Sequence, residues 1–346
     1  MTARLDTPVS HKDIASRVNV TQSTVSRALD PAKCHLIAPD TREKILTVAK
    51  ELGFRSNIFA RRMRNLRSET ISLVIDDINH HTNLDYIDFR SHSGVLGEQI
   101  TAGVIDGAAE CGFDVKLLPL HSQRPLSTQD LDKRIGFPYS DGVLFWGFHY
   151  LKDIYKIILS RGLPCLAILP NVDNVPIAAI KTNPVPGVRA AMLHLIEKGH
   201  RRIAYSAHRP VTEDYIPPRY CSYEQEMKAA GFFDPELLLV TPDEISIRRM
   251  AKNKNILAKF TAIMCVNDAM ADRWRREIAY RGYRIPEDFA IIGYDNNPMF
   301  QDLSTVDSHA YECGRLAARM LIEAINNNKP IEDHVLDGCF IPKRSS

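Results

Sequence analysis

A chain of 346 residues with 45% hydrophobic and 25% charged content has ordinary globular composition and enough length for two or three domains. Its net charge of +2 hides an asymmetry: residues 1–67 carry 13 Lys or Arg against 6 Asp or Glu, while the remainder carries 31 against 36, so a polyanion belongs at the N-terminal end. Seven scattered cysteines without a C-x-x-C pair argue against a disulfide framework; no secretory leader and no run near ~18 uninterrupted apolar residues is present, so no membrane contact and a cytoplasmic location are expected.

The first sixty residues read as three short amphipathic helices. Ile14, Ala15 and Val18 form one apolar stripe, and Asn19, which tolerates a left-handed backbone, marks a tight turn. Thr21 is a natural N-cap for a second helix whose Val25, Ala28 and Leu29 share one face, leaving Gln22, Ser23, Ser26 and Arg27 on the other. A third helix starts at Pro39-Asp40-Thr41, carries Ile45, Val48 and Leu52, and stops before Gly53. Three such helices can bury one another while a polar face of the second stays available, as a major-groove reading helix requires.

The segments DIASRVNVTQSTVSRALD and APDTREKILTVAKELGF closely resemble the headpiece of the lactose-repressor/galactose-repressor family of transcription regulators. The resemblance implies that Gln22, Ser23 and Arg27 face bases, with Arg27 the foremost contact, bidentate to a guanine, and that Thr21, Thr24 and Ser26 face phosphates. His35 is expected to be a solvated loop residue. The run from Asn57 to Ser68 is similar to the family's hinge, which orders on DNA and wedges an apolar side chain into the minor groove. That wedge is normally Leu and here is Met63, flanked by Arg61, Arg62, Arg64 and Arg67. The bland alternative is a basic linker that never orders.

From Thr70 onward short apolar runs (ISLVI, FDVKLL, DGVLFW, PCLAIL, RRIAYS, FTAIMCV, FAIIGY) alternate with helical segments near 94–112, 186–199 and 269–282, which argues for parallel sheets covered on both faces. Ligands in such folds bind beyond the carboxyl ends of strands. Neither G-x-G-x-x-G nor a P-loop follows a strand, and G-x-S-x-G and H-E-x-x-H are absent, so no cofactor, no metal and no catalytic residue is expected.

HLIEKGHRRIAY, TAIMCVNDAMA, GYRIPEDFAIIGYDN and LSTV followed by GRLAARMLIEAI also resemble this family, whose core is similar to periplasmic sugar-binding proteins. The implied fold class is an all-α helix-turn-helix headpiece plus an α/β core of two parallel-sheet subdomains. The expected domains are a headpiece over 1–57, a hinge over 58–67 and a core over 68–346, the last divided into 68–182 with 312–336 and 183–311 with 337–346. The resemblance gives Arg219 and Asp295 effector-contacting roles; a surface ion pair and a strand-end cap are the alternatives. Asn267 and Asp268, at another strand end, serve either ligand contact or capping, and Trp146 either stacks on a sugar or packs internally.

Departures fall in the core. A long stretch from Ile78 to Ser93, with His80, His81, Arg90 and His92, is expected to be a loop over the cleft, placing His92 at the effector. Thr182 stands where the family often has Asp, and Ser222 where it usually has Gly. The expected function is a sequence-specific DNA-binding regulator, a repressor and not an enzyme. It would bind a near-palindromic operator of double-stranded DNA as a homodimer, under allosteric control by a small-molecule effector, a carbohydrate or related metabolite. The competing reading is an α/β enzyme recruited to DNA, its chemistry resting on the His80–His92 stretch.

Overall fold

The computed structural model describes residues 9–30, 33–54, 67–76, 87–120, 134–136, 138–146, 158–170, 176–212 and 217–346, with backbone alone at 76, 87–95 and 119–120. The chain divides into two compact units, 1–66 and 67–346.

The first unit contains α1 (His11–Val18), α2 (Gln22–Leu29) and α3 (Pro39–Glu51). A capping box starts α1: the Asp13 carboxylate accepts the Ser10 N–H at 2.8 Å and the Ser10 hydroxyl at 2.6 Å. Asn19 ends the helix in the left-handed region (φ 57°), as its side chain allows. Thr21 Oγ1 accepts the Thr24 N–H and fixes the start of α2. Pro39 occupies the first turn of α3, where its missing N–H is harmless. Ile14, Val25 and Ile45 are fully buried together with Ala15, Ala28 and Ala49, one contribution from every helix.

The second unit holds two six-stranded sheets. β1 (Thr70–Asp76), β2 (Asp114–Leu120), β3 (Gly142–Trp146), β4 (Cys165–Ile168), β5 (Ala179–Asn183) and β11 (His334–Asp337) form the first, in the order β11-β5-β4-β3-β1-β2 with every pair parallel. The second has the order β12-β10-β9-β8-β6-β7, from β6 (Ile203–Ala207), β7 (Leu238–Val240), β8 (Ala262–Cys265), β9 (Ala290–Tyr294), β10 (Ser304–Asp307) and β12 (Cys339–Ile341). Only β12 runs antiparallel, against β10. Central strands β3, β6, β8 and β9 are buried at every position, which explains why they read as unbroken apolar runs rather than alternating ones.

Helices α4 (Ile87–Glu110) and α10 (Ala310–Asn327) cover the first sheet. Around the second lie α5 (Val185–Glu197), α6 (Pro218–Ala229), α7 (Glu244–Lys252), α8 (Lys254–Leu257) and α9 (Asp268–Ala279). α4 and α10 approach backbone to backbone. A Cβ on Gly107 would collide with the Arg315 carbonyl, and one on Gly314 with the Ile100 carbonyl. The chain passes between sheets three times, after β5, after β10 and at Gly338 between β11 and β12. These crossings are tied together: Thr182 Oγ1 donates to the Ser308 carbonyl (2.8 Å), Asn183 Nδ2 donates to Asp337 Oδ1 (2.8 Å), and the Gly338 N–H donates to the Asn183 carbonyl (2.8 Å). Thr182→Val is expected to lower stability by about 1 kcal/mol, since it removes one such bond and leaves a buried carbonyl partly unsatisfied; urea unfolding measures it.

Two expectations need correction. The stretch 78–93 is not one long loop, because α4 already begins at Ile87 and takes in Arg90, His92 and Ser93. Asp88 lies in its first turn, where acidic residue types are favoured, and the polar run that resembled a loop is a helical extension. Arg67 is not held for DNA: its guanidinium donates to Asn326 Oδ1 (2.6 Å) and to the Ile325 carbonyl (2.9 Å), at the C-terminal end of α10 where a cation suits the helix dipole.

Candidate nucleic-acid interface and effector site

On α2 the burial pattern separates two faces. Val25 is 0% and Ala28 1% exposed, whereas Thr21, Gln22, Ser23 and Arg27 are exposed and Thr24 and Ser26 half-buried. Thr21 Oγ1 lies 2.7 Å from Ser23 Oγ and 2.8 Å from Thr24 Oγ1, so three hydroxyls gather at the N-terminus of α2, where N–H groups and the positive end of the dipole attract a phosphate. Gln22 and Arg27 make no hydrogen bond or ion pair with described residues, so neither must break one to reach a base edge. His35 is exposed on a short 3-10 turn (Cys34–Leu36). Arg61, Arg62, Met63 and Arg64 lie outside the described residues, as do His80 and His81.

In the second unit, parallel strands β6, β8 and β9 lie side by side, so their carboxyl ends share one edge. Asn267 follows β8 and caps α9, its Oδ1 accepting the Met270 N–H at 2.9 Å. Asp295 follows β9 with φ 98°, a backbone region that L residues rarely adopt and that marks a functional or over-determined position. Arg219, in the first turn of α6, crosses to both: Nη1 donates to the Val266 carbonyl (2.6 Å) and Nη2 to Asp295 Oδ1 (3.0 Å). Its guanidinium stacks 3.7 Å from the Tyr294 ring centroid. Burial opposes the charge on Arg219, but the Asp295 carboxylate beside it outweighs this and raises the guanidinium above its ordinary range. Burial pushes the Tyr294 phenol up to about 12.

The ion pair is therefore not a surface one: side-chain exposure is 28% for Arg219 and 2% for Asp295. Asp268 is turned inward, its Oδ1 accepting the Thr305 hydroxyl and its Oδ2 the Asn297 N–H, both at 2.6 Å. Burial pushes its carboxyl up to about 8 despite those two donors, and the nearby Asp295 adds to the rise. Below pH 8 the folded chain holds this proton while the unfolded chain releases it above about pH 4, so this group's stabilising contribution declines as pH rises from 4 to 8. Asp268→Asn is expected to gain stability relative to the wild type between pH 5 and pH 9 in urea unfolding; parallel curves would contradict the assignment.

Trp146 is 6% exposed, and its ring lies against Gly97 in the first lobe's core, so its described role is packing. The side chain of His92 lies outside the described set. Thr182 sits at a crossover, as above. Ser222, 2% exposed, donates to the Pro218 carbonyl one turn back in α6 (2.9 Å). The sequence reading passed over His208, which follows β6 and brings Nε2 within 2.9 Å of Asn267 Nδ2. Its signal was present: a polar residue directly after the apolar run IAYSA. Among the described residues no cluster of His, Cys, Asp or Glu could hold a metal, and no helix is long and apolar enough to cross a membrane.

Comparison with known proteins fits this division. Residues 11–57 match the model of bacterial regulatory proteins of the lacI family, and residues 192–346 match a periplasmic binding protein-like domain. The regulator RegA of Clostridium saccharobutylicum is 25% identical over 97% of this chain and 99% of its own. A solved lac repressor dimer bound to operator and the anti-inducer ONPF superposes with a TM-score of 0.72 at 19% identity, covering 98% of this chain and 99% of that one. A CelR–cellobiose complex gives a TM-score of 0.63 at 24% identity, covering 98% of this chain and 100% of that one. A helix-turn-helix unit followed by two periplasmic-binding-protein-like lobes defines a DNA-binding transcription regulator rather than an enzyme. The chain belongs to the lacI family.

Proposed function

We propose that the protein is a repressor that binds a near-palindromic operator as a homodimer in the cytoplasm and is switched by a small polar metabolite, a carbohydrate or a close relative of one. The observation that carries the DNA half is α2: a capped helix with its apolar side buried and Gln22, Ser23 and Arg27 exposed together. Two-fold symmetry in the protein predicts two-fold symmetry in the site, and the lac repressor structure supports a dimer as the working unit. Arg61, Met63 and Arg64 take the role of a hinge that orders in the minor groove, with Met63 parting a base step.

The functional divisions are the headpiece 1–57, the hinge 58–67 and a core whose lobes, 68–182 with 312–336 and 183–311 with 337–346, move about the tied crossings. Arg219, Asp295 and Asn267 at one strand edge support a ligand site, and the bridge from Gln99 of α4 to the Asn296 carbonyl (3.5 Å) supports a coupling of the lobes beside it. Cellobiose in the CelR complex supports a carbohydrate as the ligand class. A band shift on duplexes from upstream of the neighbouring genes tests the reading. Retention of a palindromic site by two chains supports it, and failure on every palindromic site rejects it.

A further inference from the structure

We infer that the effector carries a carboxylate, a polyhydroxy acid rather than a neutral sugar, and that His208 together with Arg219 selects it. This rests on the ligand-controlled regulator proposed above and narrows its site.

The orientation of Asn267 decides the state of His208. Because Oδ1 of Asn267 accepts the Met270 N–H as the cap of α9, its amide nitrogen faces His208 Nε2. An amide nitrogen only donates, so Nε2 accepts, and the imidazole carries its proton on Nδ1 as a further donor. Arg219 commits Nη1 to the Val266 carbonyl and the Nη pair to Asp295, leaving Nε–H and one Nη2 proton beyond those bonds. The acceptors on the same edge face the other way: Asp295 is 2% and Asp268 1% exposed, the first against Arg219 and the second against Thr305 and Asn297.

Solvent therefore meets donors on this wall, from the part-exposed Arg219 and His208. A sugar hydroxyl must donate as well as accept, and the wall has little to receive its proton. A carboxylate only accepts, and it can share the guanidinium in a fork. Since Asp295 already balances Arg219 and His208 is neutral, one added negative charge fits this wall better than the two of a phosphate ester. The same carboxylate competes with Asp295 for Arg219, at the strained end of β9 one residue from the Gln99 bridge to the other lobe.

Calorimetric titration of the full chain with D-gluconate, D-glucuronate and D-galacturonate, against D-glucose, D-galactose and glucose 6-phosphate, tests the inference. At least one acid is expected to bind about tenfold or more tightly than its neutral counterpart. His208→Ala should erase most of that preference, and His208→Asn, which restores an N–H donor, should recover part of it with folding judged by an unchanged melting temperature. Tighter binding by the neutral sugars or the phosphate ester overturns the inference, as does binding by none of the acids or indifference to His208→Ala. A parallel band shift separates the two levels: if a neutral sugar alters operator binding, the acid fails while ligand control stands; if no palindromic duplex is bound, the regulator reading itself fails.

Discussion

Arg27→Ala is expected to weaken operator binding by roughly 1–3 kcal/mol and to relax base preference at one position of each half-site. The side chain stands exposed on α2 and makes no bond to described residues, whereas its neighbours Val25 and Ala28 carry the helix's packing. Its removal should leave the three-helix core of Ile14, Val25 and Ile45 intact, so the melting temperature should not move. Fluorescence anisotropy on a matched set of operator variants distinguishes the possible outcomes. Loss confined to one base pair per half-site marks a base contact; uniform loss across all variants, with a shallower salt dependence, would reassign Arg27 to phosphate.

Gly314→Val is expected to destabilise the core by at least about 3 kcal/mol, beyond ordinary overpacking, because its branched side chain would be driven into the Ile100 carbonyl of α4 rather than into movable side-chain atoms. α4 and α10 together cover the first sheet, with Ile100, Val104, Ala317 and Leu321 all fully buried, so separating the two helices opens that whole core cluster. Urea unfolding should show an early transition for the 67–346 unit, while band-shift activity at permissive temperature reports on the headpiece. A variant as stable as the wild type would mean that the helices can part without loss, against the close approach seen here.

Legibility in the sequence followed burial. Strands covered on both faces, such as GVLFW and AIIGY, were visible as apolar runs, whereas β5 (AIKTN) and β11 (HVLD) were not, because they mix polar residues and β11 alternates between partly buried and exposed positions. The α2 face was legible because an eight-residue helix with one apolar stripe leaves few choices for the rest. In the core, Arg219 and Asp295 were found through resemblance, but their mutual contact was not, since residues 76 positions apart meet only when α6 folds over the ends of β8 and β9. His208 and the inward turn of Asp268 depend on the same edge and escaped for the same reason. Arg67 misled because local basicity cannot reveal a helix terminus 258 residues later in the chain.

The central claim is that this chain reads a two-fold symmetric DNA sequence through α2. Selection of bound duplexes from a random pool by the full-length protein tests it most directly. The account predicts enrichment of a near-palindrome whose half-sites each lose one fixed base when Arg27→Ala is used in place of the wild type. Enrichment of no sequence, or of an asymmetric site unaffected by Arg27→Ala, would contradict it.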